Sequence, residues 1–279
     1  MRANFAKTII VETYRTAAAN AFELVRAMWL PVVLGGASLY FALDLYFSLL
    51  QQFLVAPSPR ASSLALATAA AGIMTWLLFH AVAAMMAIRA GLNHPRRQWF
   101  RLRIRRAELR LFAGILRFIG ILAVWGTFIL GAWDIGEGFM GPVTRPVAAV
   151  AFFAGSVVLW VRFAFMMPAV VAAERVRVLR RCWTLTQGLL LPLVAIWLLV
   201  SMPPLFLMEA VGDLLLKSGL WTGPLQAGMG PDLDANTLAG FKSMLPGAIL
   251  TFTISNAVSL ALTVTASVAA YRRLTHDAG

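Results

Sequence analysis

The sequence has few charged residues and a single cysteine. Charged residues make up 13% of its 279 residues, and hydrophobic residues make up 60%. A soluble domain carries about 25% charged and about 45–50% apolar residues, so this chain has too few charges to cover a soluble globule. The one cysteine, Cys182, excludes an internal disulfide and a metal site of several cysteines. Because no polar stretch is long enough for a soluble domain, residues 1–279 are expected to form a single polytopic membrane domain.

The sequence also lacks the usual signatures of enzymes. It contains no nucleophile elbow, no zinc-protease helix motif and no phosphate-binding loop. Its three histidines, His80, His94 and His276, are spread over an apolar segment, a loop and the tail, which disfavours a three-histidine metal site. We therefore expect a protein that is not an enzyme, with no catalytic residue, no cofactor and no metal.

Six long apolar runs are what the sequence does contain. A helix needs about 20 residues to cross a hydrocarbon core about 30 Å thick. The runs predict an all-α membrane protein with six transmembrane helices, at about residues 28–50, 64–88, 111–133, 147–172, 189–212 and 246–270. Residues 1–27 are less apolar and carry hydrophobic side chains at helical spacing. They predict an amphipathic helix along the membrane interface or, alternatively, a solvated helical tail.

Small and helix-breaking residues distinguish two of these spans. The third span contains four glycines, and small residues let membrane helices approach closely, so this span is predicted to lie inside the bundle. These glycines are Gly114, Gly120, Gly126 and Gly131. The pair Pro203–Pro204 in the fifth span predicts a kink or, alternatively, a broken helix of the kind in which transporters place binding sites.

Positive charge is distributed unevenly between the two sides of the membrane. Of the 24 lysines and arginines, 18 lie in residues 1–27, 89–110 and 174–188 and at the C-terminus, and four lie in the other three loops. Positively charged loops stay in the cytoplasm, so both termini are predicted to be cytoplasmic. Anionic lipids of the bilayer are the expected partners, and a membrane-protein partner is the alternative. The net charge of +12 lies in short loops between spans, so nucleic acid is not an expected partner.

Polar groups in and beside the spans are the candidate contacts. A charge at the membrane centre costs at least about 2.5–3.5 kcal/mol unless it is paired or hydrated. Arg162 lies about ten residues, or about 15 Å, from the cytoplasmic end of its span. Its expected partner is a carbonyl near Pro168, the Glu174 carboxylate or a bound anion, and a clamp within the bundle stays open as its role. The candidate contacts for an anion or lipid are Arg162, Glu174, Arg180, Arg181, Trp183, Arg117 and His80. Asp44 and Glu209, towards the other side, are expected to be hydrated there.

Paired tryptophans suggest an internal repeat. Trp76 precedes Trp99 by 23 residues, and Trp160 precedes Trp183 by the same interval. Each second tryptophan follows two arginines and one further residue. The pattern predicts three helical hairpins of about 85 residues each. The alternative is that tryptophan and arginine both collect at membrane interfaces.

The central stretch resembles a bacterial membrane family. Residues 162–169 read RFAFMMPA, Glu174 follows, and residues 179–188 read LRRCWTLTQG. This run resembles the membrane domain attached to some glycerophosphodiester phosphodiesterases, and its stand-alone inner-membrane relatives of unassigned function. Cys182 takes the place of a serine that is usual in that family. The resemblance implies a bacterial inner (plasma) membrane protein with six spans. It does not imply phosphodiesterase activity, since the catalytic domain of those fusions is absent from this sequence.

Two hypotheses of function follow. The first is a non-enzymatic integral inner-membrane protein, a scaffold or envelope-associated accessory whose basic cytoplasmic face meets anionic lipid or a partner protein. The alternative is a transporter or channel for a small anion or lipid, with Arg162 and the Pro203–Pro204 break lining its path.

Overall fold

The protein is all-helical in the computed structural model, which describes residues 2–55, 59–92, 104–140, 144–174, 177–217 and 235–276. A π-helical turn, Trp160–Ala164, follows the fifth α-helix, and no strand occurs in these residues. The α-helices, numbered in chain order, are α1 (Arg2–Ala19), α2 (Ala21–Val55), α3 (Pro59–Leu92), α4 (Arg106–Met140), α5 (Thr144–Leu159), α6 (Met167–Ala173), α7 (Val178–Leu185), α8 (Leu190–Lys217) and α9 (Ala235–His276).

Six segments are long and apolar enough to cross a membrane, which confirms the predicted number of spans. They are Ala21–Leu54, Ser62–Ala90, Arg106–Gly131, Pro146–Ala173, Leu190–Leu214 and Leu238–Thr275. Each corresponds to one predicted span, but several helices are longer than predicted. Pro31 and Pro246, which stand in the first turn of the predicted spans 28–50 and 246–270, lie well inside α2 and α9. α9 has 42 residues and is therefore about 63 Å long, twice the thickness of the hydrocarbon core.

One end of the bundle carries the ends of α3, α6 and α9 together with the starts of α4 and α8. Arg89, near the end of α3, lies 2.6 Å from Glu108, near the start of α4. Glu12 of α1 lies 3.7 Å from Arg273, near the end of α9. We call this the basic end, because the arginine-rich segments of the sequence meet there. Residues 93–103 of the predicted basic loop, and Trp99 of the predicted repeat, lie outside the described residues.

Close packing is concentrated towards the basic end. Ala81 of α3, Phe165 before α6, Ile196 of α8 and Ala270 of α9 are all fully buried. Towards the opposite end, large apolar side chains point outwards from α4, α5 and α8, such as those of Val124, Phe128, Phe153 and Phe206. Hydrocarbon is the solvent that such outward-facing apolar side chains require.

α1 packs into the bundle against α8 and α9. Its side chains Ile9 and Thr13 are fully buried, and the Tyr14 hydroxyl donates a hydrogen bond to the Leu199 carbonyl at 2.6 Å. Pro203 has no N–H for the carbonyl four residues before it, so Tyr14 supplies the donor that α8 itself lacks. The predicted interfacial amphipathic helix is therefore not confirmed.

Pro203 and Pro204 do not break α8, which is helical from Leu190 to Lys217. The carbonyl of Pro204 accepts a hydrogen bond from the Ser255 hydroxyl of α9 at 2.7 Å. The Tyr14 hydroxyl thus satisfies the Leu199 carbonyl that Pro203 leaves free, and Ser255 adds a second hydroxyl contact beside the prolines, as is usual for proline within membrane helices. The predicted alternative of a broken helix is wrong.

The third span lies at the periphery of the bundle. A Cβ atom added to Gly114 would lie 2.7 Å from the Met167 sulphur, so this glycine does permit close approach. Gly120 and Gly131, however, have no neighbour within 4 Å of such an atom. Only 11% of the apolar window in this span is buried. The prediction that the four glycines place the span inside the bundle is therefore wrong.

Candidate functional site

Arg162 lies in the π-helical turn between α5 and α6. The Phe165 N–H donates to the Trp160 carbonyl five residues before it, at 3.1 Å. Pro168 removes the N–H that the Ala164 carbonyl would use, so the regular helical ladder is interrupted here. Single π-helical turns within α-helices are frequent at functional sites.

α7 packs against α6 and the π-helical turn and brings Trp183 to Arg162. The Arg162 guanidinium carbon lies over the Trp183 ring, 4.2 Å from its centroid. The same ring stacks on the Phe163 ring, with 5.9 Å between the two centroids. The Phe163 ring in turn contacts the Phe118 ring of α4, with 6.3 Å between their centroids. A cation over an aromatic face is stabilised by about 0.5–2 kcal/mol. Arg162 therefore packs on an aromatic ring. The predicted partners were a carbonyl near Pro168, the Glu174 carboxylate or a bound anion, and an aromatic ring was not among them.

A groove of about 480 Å³ lies beside this guanidinium. Among its described lining residues Arg162 is the only charged one, and the others are Ala6 of α1 and residues just before and within the first turns of α8, namely Gly188, Leu190, Leu191, Pro192 and Ala195. The Arg162 Nε atom is buried and has no hydrogen-bond partner in the described chain. The groove therefore combines one cation that lacks a counter-ion with an apolar wall.

Glu174, at the end of α6, connects four parts of the chain. One carboxylate oxygen, Oε1, accepts hydrogen bonds from Arg181 Nε at 2.9 Å and from the Tyr271 hydroxyl at 2.7 Å. The backbone carbonyl of Glu174 accepts a hydrogen bond from Arg110 Nη1 at 3.2 Å. The residue thereby ties α4, α7 and α9 to the end of α6. Its partner is Arg181 and not Arg162, so the predicted Arg162–Glu174 alternative is wrong.

Glu108 forms a second tie, which the sequence analysis missed. Its side chain is fully buried, and its Oε1 atom lies 2.6 Å from Arg89 Nη1. Its Oε2 atom accepts a hydrogen bond from the Arg105 N–H at 3.0 Å. Glu108 is the third residue of α4 and reaches back to the residue before the helix, as in a capping box. The signal in the sequence was that Glu108 is the only acid among the eight arginines of residues 89–110.

All four acidic side chains described at the basic end are paired with an arginine. Besides Glu108 and Glu174, these are Glu12, which lies 3.7 Å from Arg273, and Glu23, which lies 3.7 Å from Arg26. Several arginines have neither an ion pair nor a side-chain hydrogen bond with the described residues. We call them the unpaired arginines, and they are Arg15, Arg105, Arg106, Arg117, Arg162, Arg177, Arg180 and Arg272. These ion pairs therefore occupy all the described acids at the basic end, and the unpaired arginines leave an excess of positive charge there.

The other predicted site residues do not join these groups. The His80 ring lies 5.4 Å from the Trp76 ring, and its Nδ1 atom is buried without a hydrogen-bond partner among the described residues. Arg117 of α4 and Arg180 of α7 are exposed. The structure thus brings Arg162 together with Trp183, and Glu174 together with Arg181. Tyr271 and Arg110, which complete the second group, were not predicted.

Metal chemistry has no candidate in the described part of the chain. No group of three or more histidine, cysteine, aspartate or glutamate side chains there is placed to hold a metal ion.

Comparisons of the chain with protein-family models, with curated proteins and with solved structures give no match in any of the three. Its six apolar helices mark the chain as a multi-pass membrane protein, and its function has to be argued from the geometry of the basic end.

Proposed function

We propose that the protein is a non-enzymatic component of the bacterial inner membrane, a scaffold or envelope-associated accessory. In this proposal the basic end and both termini face the cytoplasm, and the unpaired arginines hold anionic lipid headgroups. The observation that supports it is the pairing of every described acid at the basic end with an arginine. Among the described residues, no carboxylate is left there to neutralise the remaining arginines.

Electrostatics gives this arrangement a measurable strength. A lysine or arginine close to an anionic membrane surface contributes about 1 kcal/mol of attraction. The attraction decays over about 8 Å at physiological ionic strength, so only side chains near the headgroups take part. Arg177 and Arg180 are exposed residues at and beside the start of α7 and meet this condition best.

Lipid preference in nanodiscs tests the proposal. We expect wild-type protein to prefer phosphatidylglycerol over phosphatidylcholine, and salt to weaken this preference. Removal of two charges, in Arg177→Gln with Arg180→Gln, should reduce the preference about 30-fold at low salt, since each charge contributes about 1 kcal/mol. Arg60→Gln is the matched control, because Arg60 is an exposed arginine at the opposite end. Equal affinity for both lipids, or an equal loss in the control, would contradict the proposal.

The groove beside Arg162 favours a second candidate function, which is transport of a small anion or a lipid. The unbroken α8 removes one of the two features on which this alternative was based. Proteoliposomes containing the wild type would then carry phosphate or move a labelled lipid between leaflets faster than protein-free vesicles. Arg162→Leu should abolish this movement in vesicles that hold as much folded protein as those of the wild type. Wild-type vesicles that are no faster than empty ones would exclude transport of these substrates and leave the scaffold.

A further inference from the structure

We propose that the groove beside Arg162 binds one anionic phospholipid, with the phosphate on the Arg162 guanidinium and an acyl chain along Leu191 and Ala195. This inference rests on the proposed function and deepens it, because it assigns one defined lipid site within the basic end.

The cation in the groove is available to a ligand. A guanidinium that lies over an aromatic ring keeps its N–H groups free, because these donors lie in the guanidinium plane and the ring meets its face. Arg162 lies over Trp183 in this way, and its buried Nε meets no acceptor in the described chain. A phosphate supplies two acceptor oxygens in the geometry of the guanidinium fork, which makes it the best matched anion.

No carboxylate of the described chain competes for this cation. The nearest acid along the chain is Glu174, whose Oε1 is already held by Arg181 at 2.9 Å and by Tyr271 at 2.7 Å. The positive charge of Arg162 is therefore not neutralised from within the fold. The groove also lies at the start of the 28-residue helix α8, where the helix dipole adds partial positive charge.

The wall of the groove favours a lipid over free phosphate. Apart from Arg162, its lining side chains are aliphatic or absent, and they come from the first turns of α8 and from Ala6 of α1. Leu191, on this wall, is 80% exposed. An inorganic ion would leave this apolar surface uncovered, whereas an acyl chain would bury it. The volume of about 480 Å³ falls within the range of about 300–1,000 Å³ that is usual for small-molecule sites.

Native mass spectrometry of the detergent-solubilised full chain tests the site. The probes are dioctanoyl phosphatidylglycerol, dioctanoyl phosphatidylcholine and inorganic phosphate. We expect a one-to-one complex with the phosphatidylglycerol, weaker binding of the zwitterionic lipid and no retained phosphate. Arg162→Leu should weaken the complex about 10- to 100-fold, as expected for loss of hydrogen bonds to a charged group. Arg60→Leu is the matched control, since Arg60 is an exposed arginine at the opposite end of the bundle, and it should bind as the wild type does.

A second variant keeps the charge and fills the groove. Ala195→Phe places a ring where the acyl chain would lie, and it should lose the complex although Arg162 is intact. This variant also covers the case in which Arg162→Leu fails to fold. Arg177→Gln with Arg180→Gln should keep the one-to-one complex, even where it lowers the general preference for anionic nanodiscs.

Four results would overturn the site. The first is wild-type affinity for the lipid in Arg162→Leu, and the second is wild-type affinity in Ala195→Phe. The third is binding of inorganic phosphate as tight as that of the lipid, which would indicate an anion site without a lipid chain. The fourth is a loss of the complex in the Arg177 and Arg180 double variant as full as in Arg162→Leu, which would indicate general charge attraction. The proposed function fails separately, when that double variant leaves the nanodisc preference unchanged.

Discussion

Glu108 is an ionisable side chain that is fully buried. Neighbouring groups supply the opposite charge and the hydrogen bond that stabilise its carboxylate in place of water. Arg89 provides the opposite charge at 2.6 Å, and the Arg105 N–H donates at 3.0 Å. A buried charge is tolerated only when it is paired and hydrogen-bonded in this way. The pair joins the end of α3 to the start of α4 across residues 93–103. Glu108 therefore fixes how the second and third spans meet.

Substitution of Glu108 by glutamine should destabilise the protein by about 1–3 kcal/mol. The change keeps the shape of the side chain but removes the charge that pairs with Arg89 and makes the acceptor of the Arg105 N–H neutral. Hydrogen bonds to charged groups contribute about 1.5–3 kcal/mol and neutral ones about 0.5–1.5 kcal/mol. The lower part of the range is expected, because the Arg89 side chain is 34% exposed and can become hydrated. Thermal unfolding in detergent measures the loss. Glu209→Gln, at an exposed glutamate of α8, should leave the melting temperature unchanged, and equal melting of the two variants would contradict the role of Glu108.

Cys182 should be unreactive in the folded protein. The side chain is fully buried, and burial raises the pKa of its thiol to about 12. At pH 8.5 an ordinary cysteine is about half thiolate, whereas Cys182 stays protonated, so alkylation should be about 1,000-fold slower. Mass spectrometry after iodoacetamide treatment, with and without sodium dodecyl sulphate, measures the difference. In a Cys182→Ser background, Thr184→Cys provides an exposed thiol on the same helix as the control. Rapid labelling of Cys182 in mild detergent would show that the packing of α7 against its neighbours does not bury the thiol.

Sequence reasoning found several of these residues but not their partners. Arg162, Trp183, Glu174 and Arg181 were recognised because they stand together in one unusual stretch. The contacts that define their roles cross the chain, since Tyr271 is 97 residues from Glu174 and Arg110 is 64 residues from it. Spacing within one helix carries no information about such pairs. The stacking of Arg162 on Trp183 also requires α7 to fold back against the π-helical turn, and no local sequence pattern predicts this.

At the scale of the helices, the joint between α1 and α8 depends on one proline. Pro203 leaves the Leu199 carbonyl without its intrahelical donor, and Tyr14 fills that place from another helix at 2.6 Å. Burial raises the pKa of the Tyr14 hydroxyl, so it stays a donor throughout the physiological pH range. The amphipathic pattern of α1 could not reveal this contact. A polar and an apolar face suit the membrane interface and the side of a helix bundle equally well.

Tyr14→Phe should loosen α1 from the bundle, because the Leu199 carbonyl then has no donor. The expected loss of stability is about 0.5–1.5 kcal/mol, and amide hydrogen exchange in residues 2–19 should become faster. Pro203→Ala restores an N–H to α8 for the same carbonyl. In this background Tyr14→Phe should cost clearly less.

A double-mutant cycle in detergent measures this coupling. Tyr46→Phe serves as the control, because no hydrogen bond of the Tyr46 hydroxyl occurs in the described chain. Additive effects of Tyr14→Phe and Pro203→Ala would show that the proline and the tyrosine act independently.

The apolar spans themselves were predictable, since hydrophobic runs of about 20 residues require hydrocarbon around them. Their limits were less so. Pro31 and Pro246 stand in the first turn of a predicted span, yet both lie well inside helices, because membrane helices tolerate proline better than soluble ones. The glycines of α4 were also a poor guide, because an added Cβ would meet a neighbour within 3 Å only at Gly114, and at Gly126 it would make ordinary contact with Phe152 at 3.5 Å. A small residue permits close packing but does not require it.

Considered as a whole, the molecule places the contacts of its first and last helices at one end of the bundle. Glu12 of α1 and Arg273 of α9 lie 3.7 Å apart. With six spans, reporters fused to the N-terminus and to the C-terminus should therefore read the same compartment, which positive charge predicts to be the cytoplasm. A reporter fused after Lys217, behind five spans, should read the other compartment. Opposite readings from the two termini of the full chain would contradict both the number of spans and the predicted orientation.

The predicted repeat of three hairpins stays a prediction at this scale, because Trp99 lies outside the described residues. Trp76 and Trp160 have different surroundings. The ring of Trp76 contacts His80 and Phe252, whereas that of Trp160 contacts Phe118.

The docking of α1 on α9 has a consequence for biosynthesis. Ribosomes add about 5–20 residues per second, so the first helix emerges tens of seconds before its partner exists. During that interval the side chains of Ile9 and Thr13, fully buried in the finished protein, lack the surfaces of α8 and α9 against which α1 packs. The nascent N-terminus must therefore remain at the membrane or bound to a chaperone until α9 has been synthesised. The helix α1 is synthesised first, but it is among the last to reach its final packing.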